Sequence, residues 1–405
     1  MAPAPDRYRP QATAKQRRRF ALNAPLPRPV AQPRRVLFVS TSFPSSESDW
    51  KGLFIARMVE ALAAREDVRL RAWMPPGPLP DAVDSAINDD DAQWLSKLMQ
   101  AGGIAHLMRN RPLHGAAAVT GLLARLRRVY RDAADAQLFH VNWLQNALPL
   151  PRNDRRPALV TALGTDIRLL QLPAMKALLR RSIRNRRTLL CPNADWMVPV
   201  LEQAFGDIAR VQCVPFGIDA GWYGIERTQN SDGRHRWLCV TRLTKNKLGP
   251  LFQWGERFFA DHPGRELHVF GPRQEAGIAI PAWVQFHGPA TPEALRRDWF
   301  PSATGLITLS QHSEGRPQVM LEAMAAGLPI LASRLPAHED LIEHARTGWL
   351  CDDAAGMAQG LEAIEDPMRN AEIGEHSRAW ARDRIGTWAD CADRYAALYD
   401  ELLSP

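Results

Sequence analysis

Two carboxylates eight residues apart, Glu314 and Glu322, stand inside the run S-E-G-R-P-Q-V-M-L-E-A-M-A-A-G-L-P-I-L-A-S, Ser313 to Ser333. The first precedes Gly315, where the missing side chain lets backbone amides come close to a ligand. The second falls within an apolar-periodic segment, Gln318 to Ala326, that stops at Gly327. At its start the helix offers unpaired N–H groups and the positive end of its dipole, a natural seat for phosphate. Upstream, Arg242 and Lys247 lie five residues apart, just after the apolar run R-W-L-C-V-T. A guanidinium fork and a mobile ammonium suit the gripping of phosphate oxygens. Together these groups can hold a phosphorylated ligand and stabilise the charge that departs on a phosphate.

The elements that must position them follow from the pattern. Gly305 to Leu309 is an apolar run ahead of the carboxylate turn, and a second run follows Gly-Leu-Pro, so the order is strand, turn, helix, turn, strand. The same alternation starts at R-R-V-L-F-V-S, with a helix over about Leu53 to Ala63, and strands over Val68 to Trp73, Ala136 to Val141 and Pro157 to Ala162. Alternating buried strands and helices predict α/β architecture with doubly wound parallel sheets. Ligands in such sheets bind beyond the carboxyl ends of the strands, where Arg242, Lys247, Glu314 and His140 all fall. The opening loop T-S-F-P-S-S-E-S-D-W-K-G has no G-x-G-x-x-G, so a dinucleotide cofactor is not expected.

The Ser313–Ser333 stretch resembles the E-x7-E signature of the retaining family-4 (group 1) glycosyltransferases, down to Gly315, Pro317 and the trailing A-A-G-L-P-I-L-A-S. The resemblance covers Arg35 to the C-terminus. It implies a GT-B architecture, two Rossmann-like domains facing a central cleft. It implies that Glu314 touches the donor sugar, Glu322 holds the ribose hydroxyls, and Arg242 and Lys247 grip the donor diphosphate, with Gly315, Arg316 and Pro317 on the donor side. Gly52 is the counterpart of the family's opening-loop glycine, with Lys51 in place of a second glycine. H-V-N-W at His140 to Trp143 stands where the family has H-x-H-W, and L-G-T-D at Leu163 to Asp166 where it has H-G-x-D. His140, Trp143, Gly164 and Asp166 are the acceptor-side candidates, with Trp50 as a further stacking surface. Leu163 replaces a histidine that reaches the donor sugar in the family.

The implied activity is transfer of a sugar from a UDP- or GDP-sugar to a hydroxyl of a glycan or lipid-linked acceptor, in cell-surface polysaccharide biosynthesis. No cofactor and no metal are expected. The competing readings are an idle nucleotide-sugar-binding or scaffold protein, and an epimerase or phosphorylase on the same architecture. The intact Arg242, Lys247 and Glu314 set favours transfer.

Charge has to be located before it can be read. Residues 1–35 hold nine basic residues and one acid, leaving 42 basic and 43 acidic residues for the remainder. The net charge of +7 therefore belongs to the tail, and nucleic acid is not an expected partner. The expected organisation is a disordered basic tail over 1–34 and an acceptor domain over 35–219, completed by a C-terminal helix over 386–405. A linker over 220–234 and a donor domain over 235–385 complete it. Five cysteines without a C-x-x-C spacing predict buried thiols in a reducing compartment. With no apolar run near membrane-spanning length and no secretory signal, the expected location is cytoplasmic. Met175 to Arg187 predicts an amphipathic helix, Met175, Leu178, Leu179 and Ile183 opposite Lys176, Arg180, Arg181, Arg184 and Arg187. Such a helix suits peripheral contact with an anionic membrane surface.

Overall fold

Apolar runs buried on both faces make the strands, as expected where helices cover a parallel sheet from either side. In the computed structural model the described residues are 32–46, 49, 51–228, 232–312 and 314–405. Most of the basic tail, Trp50, Ser313 and the centre of the expected linker lie outside them. The first sheet is built from β1 (Arg34–Val39), β2 (Val68–Trp73), β3 (Val83–Ser85), β4 (Leu138–Asn142), β5 (Ala158–Ala162), β6 (Thr188–Pro192) and β7 (Arg210–Val211). Its order is β3-β2-β1-β4-β5-β6-β7. The second contains β8 (His235–Val240), β9 (Arg265–Phe270), β10 (Val284–Gly288), β11 (Gly305–Thr308), β12 (Ile330–Ser333) and β13 (Trp349–Cys351), in the order β10-β9-β8-β11-β12-β13. Every pairing between these strands is parallel. Both sheets are Rossmann-like, and each reverses direction at its centre, between β1 and β4 and between β8 and β11. These reversals leave crevices at the strand ends.

The residues of one strand alternate between two apolar layers. Val36 and Phe38 join one core and Leu37 and Val39 the other. Five helices matter for the site: α1 (Leu53–Ala63), α2 (Met175–Ile183), α3 (Gln318–Ala325), α4 (Pro367–Arg384) and α5 (Trp388–Leu403). Thr387 and Asp390 form a reciprocal capping box that starts α5. This last helix lies on the first sheet, where Cys391, Tyr395, Tyr399 and Leu402 share a core with Val36, Ile55 and Leu138. The chain thus closes its first domain with its final segment.

Two local readings are corrected. The Pro-rich and then acidic stretch from Pro75 to Asp91 reads from its composition as a solvated loop, but its closing N-D-D-D starts a helix over Asp89–Gln100, with the Asn88 side chain accepting from the Asp91 amide. Asp91 is buried and accepts from Trp73 Nε1 (2.9 Å) while pairing with Arg125 (3.1 Å) and Arg128 (2.6 Å). The cap and the acidic first turn were the missed signal. The amphipathic helix ends at Ile183 rather than Arg187. Its Leu179 and Ile183 pack into the core, Arg180 pairs with Asp207, and Arg187 donates to carbonyls of Glu401 and Ser404. The five cysteines are all free, four of them buried.

Candidate active site

The centre of the site is an ion pair between loops from two strands. The segment after β8 turns through Thr244, whose hydroxyl accepts from the Lys247 amide at 3.3 Å and caps a short helix over Lys245–Leu248. Gly249 then passes so close to the end of β11 that a Cβ would lie 1.9 Å from the Leu309 carbonyl oxygen. This packing delivers the Lys247 ammonium to the Glu314 carboxylate, and both side chains are largely buried. Arg242 lies on the same loop and donates to Gln274 at 3.4 Å. His312 adjoins this group. Burial lowers its pKa, the cations Lys247, Arg242 and Arg168 lower it further, and Glu314 opposes them. Arg168 comes from the first domain, so charge from both sheets meets here.

The carboxylate turn is seated against the first domain with no free space. Gly164 has φ +106°, and a Cβ there would lie 2.1 Å from the Gly315 nitrogen. A Cβ on Gly315 would lie 2.3 Å from Asn193 Oδ1, a buried atom with no hydrogen-bond partner. Trp196 Nε1 donates to the Gly315 carbonyl at 3.3 Å, and the Trp196 amide donates to Asp340 at 3.1 Å. Arg316, placed on the donor side by the resemblance, has its buried guanidinium between Asp340 (2.6 Å) and Asp195 (2.9 Å). Its charge is therefore spent on fastening the turn to Asp195 of the first domain. Beyond Pro317, α3 begins without a side-chain cap, which leaves its N-terminus available to a ligand.

The acceptor-side candidates divide. His140 is fully buried, with Nδ1 against Tyr399 Oη at 2.6 Å and Nε2 against Thr161 Oγ1 at 2.9 Å. Burial drops its pKa to about 3, so it is a neutral core residue and does not reach the cleft. Asp166 is buried too, accepting from the amides of Leu163 (3.0 Å) and Leu144 (3.1 Å). Burial raises its pKa against the pull of those amides. Its place is beneath the Gly164 turn, which it fixes. Trp143 has φ 68° and packs edge-on to Phe54 at 6.3 Å. Gly52, also left-handed, sits where a Cβ would meet Ser42 Oγ at 2.6 Å. Trp50 is outside the described residues.

Sequence reasoning missed Arg168, Asn193, Asp195 and Asp340. Arg168 was legible as the cation two residues after Asp166. Asn193 follows β6 level with Leu163 after β5, next to the Gly164 turn, a correspondence that needs the sheet register to be seen. His338, also missed, is buried, with Nδ1 2.7 Å from the Ser333 carbonyl oxygen and Nε2 without a partner.

Glu322 keeps part of its surface open although protein atoms crowd its carboxyl. Burial, with the nearby charge of Asp219, pushes its pKa from 4.5 up to about 8. The folded chain then holds a proton that the unfolded chain releases, so stability falls as pH rises from about 4.5 to about 8. Glu322→Gln should lessen this fall, read as urea midpoints that change less between pH 5 and pH 8.5 than those of the unsubstituted chain. Equal slopes would place the proton elsewhere.

Comparison with known proteins agrees with this geometry. Residues 236–366 match the family Glycosyl transferases group 1. Spore coat protein SA of Bacillus subtilis is 27% identical over 155 residues, which are 36% of this chain and 39% of that protein. The GDP-mannose-dependent alpha-(1-6)-phosphatidylinositol monomannoside mannosyltransferase of Mycolicibacterium smegmatis is 24% identical over 289 residues, 63% of this chain and 75% of that one. Among solved structures, Anabaena Alr3699/HepE in complex with UDP-glucose superposes with a TM-score of 0.61 at 16% identity, covering 91% of this chain and all of the other (100%). The two switch-point sheets share the GT-B fold of these solved structures, and the segment that carries Lys247, Glu314 and α3 is the one similar to the group 1 glycosyl transferases.

Proposed function

We propose that the chain is a retaining glycosyltransferase that moves a sugar from a nucleotide-diphosphate donor to a hydroxyl of a lipid-linked glycan in polysaccharide biosynthesis. The observation that carries this reading is the Lys247–Glu314 ion pair seated at the mouth of α3. A carboxylate, an ammonium, the Arg242 guanidinium and an uncapped helix N-terminus are the groups that breaking a sugar–phosphate bond needs. The cations and the helix end stabilise the charge gathering on the departing diphosphate. Glu314 orients the sugar and stabilises the positive charge that develops at its anomeric carbon. Lys247, held by Glu314 before the donor arrives, is placed to turn toward the phosphate. Glu322, further along α3, accepts the ribose hydroxyls. The Alr3699/HepE complex holds UDP-glucose on this fold, which supports a nucleotide-sugar donor.

The first domain supplies the acceptor side through the Gly164 turn, Trp196 and Arg168. A pocket of about 420 Å³ lined by Gly164, Ile167, Arg168, Leu170, Lys176 and Trp196 adjoins the carboxylate turn. Its mixture of apolar walls and cations fits an amphiphilic, phosphate-bearing acceptor. Leu172 and Leu178 are half-exposed beside it, and Arg181 and Arg184 point to solvent. These four residues are the support for contact with an anionic bilayer on the cytoplasmic side, since Arg180 and Arg187 are engaged within the protein. Among the described residues no helix is long and apolar enough to cross a membrane.

Two experiments test this reading. Thermal unfolding of the full chain against a panel of UDP- and GDP-sugars should show stabilisation by one nucleotide class, lost in Glu322→Ala; no shift with any nucleotide would favour the idle-scaffold reading. Sedimentation with anionic vesicles should show binding that falls several-fold in the Arg181→Ser, Arg184→Ser double variant. Unchanged sedimentation would remove the membrane contact from the account.

A further inference from the structure

The far end of α3 is gripped by arginines that, among the described residues, form no ion pair with a carboxylate. The helix closes with Gly327 at φ +64°, and the Leu328 amide returns to the Ala323 carbonyl at 2.8 Å. Arg227 donates to the Gly327 carbonyl at 2.8 Å and to that of Ala303 at 2.5 Å. Arg378, on α4, donates to the carbonyls of Ala326 (2.6 Å) and Ile225 (2.8 Å). One turn on, the exposed Arg382 lies over the Tyr223 ring, 5.7 Å from its centroid.

Among the described residues none of these three arginines forms an ion pair with a carboxylate. The contrast is with Arg265 and Arg316, equally enclosed, which pair with Glu365 and with Asp195 and Asp340. The Nε atoms of Arg227 and Arg378 are buried and unpartnered. Burial lowers the Arg227 pKa to about 10, with Arg378 adding to the fall, and Arg382 acts likewise on Arg378. Three like charges in a row repel one another, and the carbonyls of a helix C-terminus offset only part of a unit charge. A groove of about 1010 Å³ opens on them, lined also by Asn370, Arg234, His235, Glu365 and Glu375, of which Glu365 pairs with Arg265. That is room for a small molecule.

We propose that this groove is a second anion site that takes a phosphate-bearing small molecule, separate from the donor cleft. Guanidinium groups match phosphate oxygens in charge and fork geometry. A dianion supplies a countercharge that, among the described residues, no carboxylate ion pair gives these three guanidiniums. Because Arg227 and Arg378 donate to the carbonyls that end α3, the cations offered to the ligand also hold the helix that carries Glu322.

The test is calorimetric titration of pyrophosphate into the full chain at constant ionic strength. Arg227 and Arg378 support the fold, so the informative variant is the exposed Arg382→Glu, its folding verified by its melting curve. Pyrophosphate also suits the donor cleft, so Lys247→Ala serves as the second variant. Two binding events are expected, one weakened at least tenfold in Arg382→Glu and the other lost in Lys247→Ala. The proposal is overturned if Arg382→Glu binds as the unsubstituted chain does, or if Lys247→Ala removes all binding.

Discussion

Everything about the site depends on one close approach, the seating of the Glu314–Gly315–Arg316 turn against the ends of β5 and β6. Glycine stands on both sides of the contact because a Cβ on either Gly164 or Gly315 would lie within 2.3 Å of an atom of the opposing segment. The buried Arg316 guanidinium spans the same seam, shared between Asp340 and Asp195. Of the two pairs only Arg316–Asp340 is buried on both sides, and breaking a buried pair costs on the order of 3–5 kcal/mol. The turn is therefore held by shape and by charge together. Only with it in place can Lys247 and Glu314 meet between the two sheets, with Arg168 of the first domain acting on their neighbour His312.

The two sheets divide the labour in a way their topology explains. Each reverses at its centre, and the loops that leave the reversal carry the chemistry. From the second sheet come Arg242 and Lys247 after β8, and Glu314 after β11. The first sheet brings a backbone surface of Gly164, Asn193 and Trp196, with Arg168 behind it. α5 ties this surface to the end of the chain, since Tyr399 holds His140 in the core beneath β4. The second sheet thus contributes mostly charge to the site, and the first mostly shape.

Much of this was legible in the residues. Continuous apolar runs and polar turns marked the strands, and Glu314, Gly315, Arg242 and Lys247 announced themselves by type and spacing. What stayed hidden depended on register. His140 falls near the end of its apolar run as a catalytic residue would, yet it is the middle residue of β4 and its ring turns inward to Tyr399, which is 259 residues away. Asp166 has a motif position and a structural use, to fix a turn by accepting two amides. Arg316 was placed on the donor side because it sits in the motif; its partners, Asp195 and Asp340, could be identified only once the domains were placed together. The helix at Met175 was read from its periodicity correctly at the start and too far at the end. There Arg186 leaves the exposed face to donate to the carbonyls of Pro151 and Arg156.

The central claim is that the Lys247–Glu314 pair breaks the bond between sugar and nucleoside diphosphate. Its most direct test is chromatographic detection of nucleoside diphosphate released from UDP- and GDP-sugars by the full chain, beside Glu314→Gln and Lys247→Ala. The account predicts slow release without acceptor from one donor class, reduced on the order of a hundredfold in each variant. Release that is the same in all three proteins would contradict it.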